Sequence, residues 1–389
     1  MKKTNRFKVA IFLILFSCNE DQNRMVNCSV SIFNPYKTGH FQKIKELSFN
    51  LDSIQYVGEF TGSAYLSTTN QVVFLDNISN RLIFFKATGG DKINSIHLPD
   101  ILHDQKIQGF KYINKDSILL YSPKGKRLVL INDTGKIGWQ YAFKETKNPS
   151  FQNLPPPSAY IGNSSPMYVV NDTIICTGFL IGEHENLQHE KRFTRIRVSM
   201  KTNKVSYDIP YPDVYKLPNW GGDLFRSVFT AYNAKYNTLL ISTPADHNIT
   251  VVNSENISKA YFLGPRDKLC ITSFKYPKSD RKRFINKDIN VHFFTNPSYR
   301  NIMYDEYRDL YLRILELPLK EDKLNNKGIG VKSTRILIYD SQFKYIDEFN
   351  PSSNLSSENI LIIKDGILFL NKTNQNENKA IYTLYDIDK

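Results

Sequence analysis

The chain has 389 residues, of which 41% are hydrophobic and 13% aromatic, and its formal net charge is +13. This length accommodates one large or two medium domains. Such a basic balance is typical of nucleic-acid binding, but the export signal described next excludes that class, so we expect no nucleic-acid partner.

The first residues have the order of a bacterial secretory signal. Four basic residues lie within positions 2–8, an unbroken apolar run covers positions 9–16, and Ser17 and Cys18 close it. A bilayer span needs roughly 20 apolar residues, so this run is too short for a transmembrane helix. A small residue directly before a cysteine is the pattern of a lipobox. We therefore predict that Cys18 is acylated, becomes the mature N-terminus and attaches the protein to a membrane.

The neighbouring sequence bears on this assignment. Phe16 is bulkier than the usual residue at its position, and Cys28 is a poorer candidate for acylation because Met25 and Asn27 do not fit the apolar and small positions. Residues 19–22 resemble the short acidic stretch of Bacteroidetes lipoproteins delivered to the outer face of the outer membrane, and an ordinary solvated tether is equally consistent with them. We expect an outer-membrane lipoprotein that faces the periplasm or the cell surface, with a signal peptide at 1–17, the lipidated cysteine and a tether at 18–40, and one domain at 41–389.

The body of the chain favours strands. It contains 23 Tyr and 25 Phe, and branched and aromatic side chains fill a pleated surface well. Once Cys18 is acylated, Cys28, Cys176 and Cys270 remain. The last two lie in strand-like sequence, where free cysteines behave as small hydrophobes. An odd number with no metal-ligand spacing predicts no required disulfide.

A hairpin unit recurs along the chain. Residues 230–241 and 302–313 each show an aromatic that closes a strand, a polar turn and an apolar run. Asn and Asp in the turns suit tight reversals. Apolar strands begin near positions 72, 118, 174, 239, 310 and 362. Six units spaced by roughly 45 to 70 residues, with four antiparallel strands each, predict an all-β fold, a six-bladed β-propeller of four-stranded antiparallel blades.

The ring must close, because a single blade cannot bury both of its faces. We expect residues 44–60 or the C-terminal residues 381–387 to complete the first or last blade. A pair of β-sandwiches is the alternative architecture, but it would require a linker near the middle, and no clean linker is evident there.

The stretch from His292 to Arg313 adds a resemblance to a family. Its segments 296–300, 304–305 and 311–313, together with the lipobox and the six irregular blades, resemble the six-bladed propeller lipoproteins of unknown function found in Bacteroidetes. This resemblance implies a fold and a location, and it implies no assigned activity.

Motifs for catalysis and metal binding are missing from the sequence. It contains no nucleophile elbow, no phosphate-binding loop and no zinc-protease motif. Among the histidines, His184 and His189 come loosely to metal spacing, but such a short cluster is more typical of a solvated loop. We therefore expect no metal and no cofactor.

Propellers bind ligands where loops converge at one end of the channel. The longest insertions are 151–166, 210–224 and 274–300. An aromatic ring beside a guanidinium suits sugars and carboxylates. The candidate ligand-binding residues are Trp220, Tyr299, Arg300 and His292. In the structural alternative, Trp220 packs a loop and Arg300 bonds an inter-blade carboxylate such as Asp305.

Two further functions remain open beside a binding module for a glycan, peptide or protein. A carbohydrate-active hydrolase or lyase would need two carboxylates or a metal at the channel mouth. Its candidate catalytic residues are Asp305, Glu306 and Asp223. A structural partner in an envelope complex would instead present a large exposed apolar patch.

Overall fold

A computed structural model describes residues 25–29, 41–51, 62–98, 106–143, 157–179, 192–216, 219–275, 286–372 and 379–387. Within these ranges the protein contains 27 strands and one α-helix. Residues 1–24, which include the predicted signal peptide and Cys18, lie outside the description.

The strands fall into six blades and one small sheet. The first two strands are β1 (Val26–Cys28) and β2 (Phe41–Asn50). The first blade contains β3 (Ser63–Leu66), β4 (Gln71–Asp76), β5 (Arg81–Lys86) and β6 (Lys92–His97). The second contains β7 (Gly109–Asn114), β8 (Ser117–Ser122), β9 (Arg127–Ile131) and β10 (Ile137–Ala142). The third contains β11 (Ser158–Ala159), β12 (Tyr168–Val170), β13 (Thr173–Phe179), β14 (Phe193–Ser199) and β15 (Val205–Pro210).

The second half of the chain continues the series. The fourth blade contains β16 (Phe229–Asn233), β17 (Thr238–Ser242), β18 (Asn248–Val252) and β19 (Ser258–Phe262). Next come β20 (Cys270–Thr272) and the helix α1 (Asn286–Thr295). The fifth blade contains β21 (Ser298–Asp305), β22 (Leu310–Glu316), β23 (Thr334–Asp340) and β24 (Tyr345–Phe349). The last strands are β25 (Leu355–Ile363), β26 (Gly366–Asn371) and β27 (Lys379–Ile387).

These sheets form the predicted six-bladed propeller. The first strands of neighbouring blades contact one another, as β16 contacts β21 and β25 contacts β3. The first strand of each blade therefore lies next to the central axis. We call the end at which these innermost strands begin the upper face, and the opposite end the lower face. Among the described residues, the loops between the second and third strands and the links between successive blades lie on the upper face.

The ring closes through a blade shared by the two ends of the domain. The sixth blade has the order β2-β27-β26-β25, with Phe41 opposite Ile387 and Asn50 opposite Lys379. Residues 44–50 of the first segment considered for closure and residues 381–387 of the second therefore contribute to one blade, while residues 52–60 lie outside the described residues. The seam between this blade and the first is filled by Phe49, Phe74, Phe85 and Tyr382, all fully buried. Burying such a side chain contributes about 1.5–3 kcal/mol, so stacking of the blades supplies the main stabilisation.

The recurrent hairpin has a physical basis. In three blades a tyrosine near the end of the innermost strand donates its hydroxyl hydrogen to an Asn or Asp five residues later. That acceptor residue has a positive φ, between 49° and 58°, which Asn and Asp tolerate better than most residues. The pairs are Tyr65–Asn70, Tyr232–Asn237 and Tyr304–Asp309.

The innermost strand of the third blade is interrupted. Both β11 and β12 pair with β13, and residues 160–167 between them leave the sheet. Asn163, in this segment, accepts a hydrogen bond from the backbone N–H of Ser63 in the first blade at 2.7 Å. Its amide donates to Asn359 of the sixth blade, also at 2.7 Å. Residues 160–167 thus reach across the axis, and we call them the central plug.

The prediction of no disulfide is wrong. Cys28 and Cys270 form a disulfide between β1 and β20, which pair antiparallel on the upper face. Among the described residues, Cys176 is a free cysteine, and it is buried. The two bonded residues are 242 positions apart, so their proximity depends on the closed ring and not on local spacing. The range 18–40, predicted as a tether, therefore includes a strand fixed to the domain.

The described ranges hold no helix with the length and apolar character needed to cross a bilayer.

Candidate functional site

Three long connections cover the upper face. The link 211–228 carries two short 3-10 helices, at Asp213–Tyr215 and Asp223–Phe225. The link 263–297 carries β20 and α1, and the loop 317–333 joins β22 to β23 with a 3-10 helix at Glu321–Lys323. Residues at the two ends of the loop 317–333 lie beside the upper end of the seam between the fifth and sixth blades, where polar side chains converge.

We call this set the seam cluster. Its members lie at the upper ends of the innermost strands β21 and β25, at the end of the neighbouring strand β22, or in the segments that pack on these strands. They are Tyr160, Ser298, Arg300, Glu316, Lys332, Ser357 and Glu358.

Strand register brings the blade-five members together. Ser298 lies directly opposite Glu316, and Glu316 lies opposite Thr334 on the next strand. Residues two apart on an extended chain share a face, so Lys332 falls on the same side as Thr334. The β21–β22 register shifts between Tyr299 and Asn301, which leaves Arg300 in a bulge. Bulges redirect a side chain, and here Arg300 reaches the sixth blade.

Arg300 is paired with Glu358. Its Nε donates to Glu358 Oε1 at 2.9 Å, and Nη2 donates to the same oxygen. The Arg300 side chain is 21% exposed and the Glu358 side chain 49% exposed. Burial disfavours the charged guanidinium, but the carboxylates of Glu358 and Glu316 outweigh it and raise the pKa of Arg300.

Lys332 is the most unusual group in the cluster. The residue is 5% exposed, and its Nζ donates to Ser298 Oγ at 2.8 Å. The amine also lies 4.1 Å from the centre of the Phe293 ring. Burial lowers the pKa of Lys332 to about 7, opposed by the charge of Glu316 and reinforced by that of Arg300. Within the described part of the chain, no carboxylate lies at ion-pair distance from this amine.

Exposure falls steadily across the cluster. Glu358 is exposed and Arg300 partly buried, whereas Ser298 and Lys332 are buried. Glu316 lies between them and accepts a hydrogen bond from Ser357 Oγ at 2.9 Å. The exposure of the polar side chains therefore decreases from the Glu358 carboxylate through the Arg300 guanidinium to the Lys332 amine.

Trp220, predicted to bind ligand, lies elsewhere. It is 3% exposed, and its Nε1 donates to the carbonyl of Val214 at 3.1 Å. Its indole packs against Tyr215 and Phe225. These contacts hold the link 211–228 together, as in the structural alternative considered above.

Tyr299 lies on the other side of β21 from Arg300, although the two are adjacent in sequence. It is fully buried and its hydroxyl lies 2.7 Å from His247 Nδ1. His247 Nε2 lies 3.2 Å from the carbonyl of Asn27, which can only accept, so Nε2 carries the hydrogen and Nδ1 accepts from Tyr299. Burial lowers the pKa of His247 to about 4, with the charge of Arg313 adding to the effect.

Arg313, from the stretch that carries the family resemblance, stacks 3.4 Å above the Tyr299 ring. It is fully buried, and its guanidinium donates to four backbone carbonyls of the fourth blade and its following link, and to Ser242 Oγ. Its role was not predicted from the sequence. Five donors in a fixed fork let Arg satisfy several carbonyls at once, so Arg313 fixes the fifth blade to the fourth.

His292 borders a separate cavity of about 110 Å³ beside α1. Residues 288, 291, 292 and 295 share one helix face and form one wall of this cavity. The full lining is Phe274, Lys275, Asp288, Val291, His292, Thr295 and Glu321. Across the described ranges, no group of three or more His, Cys, Asp or Glu side chains is placed to hold a metal ion.

The proposed catalytic carboxylates do not converge. Asp305 is fully buried in a lower-face turn, where it accepts backbone N–H groups and pairs with Arg308 at 2.8 Å. Glu306 follows it in the same turn, whereas Asp223 lies on the upper face, 3.6 Å from Arg226. The carboxylates at the seam are Glu316 and Glu358, which sequence reasoning missed. The run with His184 and His189 and residues 151–156 lie outside the described residues.

The architecture defines a six-bladed β-propeller closed by an N-terminal strand. Residues 105–350, more than half of the chain, match the family described as a domain of unknown function (DUF4221), and the chain belongs to this family. Among solved structures, a DUF4221 member from Bacteroides vulgatus is similar with a TM-score of 0.72 and 17% identity, over 90% of this chain and 98% of that one. A Bacteroides fragilis protein has a TM-score of 0.52 and 12% identity, over 90% and 96%. None of the curated proteins compared with the chain matches it.

Proposed function

We propose that this protein is a lipid-anchored binding module of the cell envelope, which recognises a glycan, peptide or protein partner through the seam cluster. The observation that carries the proposal is the partly exposed Arg300–Glu358 pair leading inward to the buried Lys332–Ser298 pair. A small number of charged and polar groups in fixed positions orient a ligand and provide specificity.

The position of the central plug favours a ligand that binds at the upper face of the propeller over one that passes through the central channel. Asn163 links the first and sixth blades across the axis, and Ser165 donates its hydroxyl hydrogen to the carbonyl of Val228 in the adjoining link. Tyr160, in the same segment, interacts electrostatically with Arg300 and Glu358. The plug therefore lies beside the seam cluster.

The disulfide supports the proposed compartment, because disulfides persist in oxidising environments outside the cytoplasm. Cys28–Cys270 fixes β1 to the upper face. Cys18 precedes Met25 by seven residues, which span at most about 25 Å when extended. A lipid on Cys18 would therefore hold the upper face close to the membrane that it enters.

The test is a glycan-array and envelope-peptide screen with the mature chain, comparing wild type with Arg300→Ala. We expect one ligand class to bind and the variant to lose at least tenfold in affinity. Arg335→Ala is the matched control, because Arg335 pairs with Asp267 at similar exposure, 14% and 52%, on another part of the blade. Equal affinity in all three proteins would contradict the assignment of the seam cluster.

A hydrolase acting on the bound glycan is the second candidate function. It is favoured by Glu316 and Glu358, both close enough to Arg300 to raise its pKa, since glycoside hydrolysis uses two carboxylates. Prolonged incubation with any glycan that binds, followed by chromatography of the products, distinguishes the two functions. Cleavage by the wild type that is abolished in both Glu316→Gln and Glu358→Gln would establish the hydrolase. A glycan that stays intact would support binding without cleavage.

A further inference from the structure

We infer that the ligand of the seam cluster is an acidic saccharide, and that in the free protein Glu358 occupies the position on Arg300 that the saccharide carboxylate takes. This inference rests on the proposed function. It adds the chemical class of the ligand and an internal group that competes with it.

The hydrogen-bond pattern of Arg300 is the first argument. Nε and Nη2 both donate to one oxygen of Glu358, Oε1, and no bond is formed with Oε2. A guanidinium fork matches a carboxylate best when two parallel N–H groups meet two different oxygens. Glu358 is fixed to the start of β25 and does not reach that arrangement. A ligand carboxylate that approaches in the plane of the guanidinium can form it.

The exposure of Glu358 is the second argument. Its side chain is 49% exposed, so its carboxylate regains water when it leaves Arg300. Ion pairs with one largely solvated partner contribute little to stability. Exchange of Glu358 for a ligand carboxylate therefore costs little, whereas Arg300, at 21% exposed, still requires an anion nearby.

The surroundings of Arg300 favour a saccharide. The buried Lys332 amine donates to Ser298 Oγ and interacts electrostatically with Arg300. Glu316 offers carboxylate oxygens to hydroxyl groups, and Tyr160 places an aromatic side chain close to Arg300. A cation, hydroxyl-binding acceptors and an aromatic ring together suit a uronic-acid type of sugar, which carries one carboxylate and several hydroxyls.

The experiment is isothermal titration of the full chain with trigalacturonic acid and with its methyl ester, which lacks the charge but keeps the hydroxyls. We expect Glu358→Gln to bind the acid at least fivefold more tightly than wild type, and Arg300→Ala to bind it at least tenfold more weakly. Neither substitution should change affinity for the ester by more than twofold. Arg335→Ala again serves as the control.

Several outcomes would overturn the inference. Weaker or unchanged binding of the acid by Glu358→Gln would show that Glu358 does not compete with the ligand. Equal affinity for acid and ester would remove the carboxylate from recognition. If trigalacturonic acid does not bind, an array of carboxylate-bearing saccharides is applied to wild type and Glu358→Gln, and failure of all of them to bind would refute the acidic saccharide. Binding of neutral glycans or peptides alone would refute the acidic saccharide and leave the proposed binding module standing.

Discussion

Replacing Lys332 with methionine should remove a specific pH dependence of stability. Burial lowers the pKa of Lys332 from 10.5 to about 7 in the folded protein. Between these two values the unfolded chain binds a proton that the folded chain does not bind. Stability therefore rises with pH across this window, by up to about 1.4 kcal/mol per pH unit. From pH 7.5 to 9.5 the wild type should gain about 2.5 kcal/mol from this group.

The assay is urea-induced unfolding at pH 7.5, 8.5 and 9.5, followed by tyrosine and tryptophan fluorescence. Lys332→Met should be more stable than wild type at pH 7.5, with the difference shrinking towards pH 9.5. Measurements stay below pH 10, because burial raises the pKa of Tyr215, Tyr299 and Tyr382, and stability falls once the unfolded tyrosines ionise. Lys201→Met, at an exposed turn, is the control. Parallel pH profiles for wild type and Lys332→Met would refute the reasoning.

Three further predictions concern the elements that hold the ring together. Cys28→Ser should lower the free energy of unfolding by about 2–4 kcal/mol. We expect a lower Tm, which dithiothreitol does not reduce further. A Tm equal to that of oxidised wild type would contradict a stabilising disulfide. Asn163→Ala removes the hydrogen bonds to Ser63 and Asn359, and it should lower the free energy of unfolding by about 1–3 kcal/mol in a denaturant titration. An unchanged midpoint would show that the plug does not help to close the ring. Arg313→Met leaves several carbonyls of the fourth blade without hydrogen-bond donors, and it should lower the free energy of unfolding by at least about 3 kcal/mol. Arg313→Lys should restore only part of this loss, because an ammonium group cannot reproduce the hydrogen bonds of the guanidinium fork.

The parts of the fold that could be predicted are those encoded by residues close together in the sequence. The alternation of apolar strands with Asn- and Asp-containing turns revealed six units, because each hairpin is formed by residues close in sequence. The Tyr232–Asn237 and Tyr304–Asp309 bonds explain why the two aligned segments look alike. The central plug was not predictable. Its Gly, Asn, Ser and Pro residues are typical of a surface loop, and only the closed ring shows that Asn163 meets Ser63 and Asn359, 100 and 196 positions away.

The candidate site also has a part that could be predicted from the sequence and a part that could not. Arg300 was identified by a chemical argument that depends on its own side chain, but its partner Glu358 belongs to the next blade, 58 residues later. Trp220 and Tyr299 are buried and hydrogen-bonded to the framework, and an aromatic residue alone does not reveal whether it packs or binds. Lys332 was missed because its neighbours Val331 and Ser333 are exposed and give the segment the appearance of an ordinary solvated loop.

The position of the seam cluster links ligand binding to ring closure. Ser298, Arg300 and Glu316 belong to the fifth blade, whereas Ser357 and Glu358 belong to the sixth, the blade that joins the two ends of the domain. A ligand held between them binds only while these blades are in place, so it stabilises the folded ring by mass action. At one hundred times its Kd this amounts to about 2.7 kcal/mol. Thermal-shift screening of acidic saccharides against wild type and Arg300→Ala should therefore find the ligand as a rise in Tm confined to wild type, and an equal rise in both proteins would place its site elsewhere on the propeller.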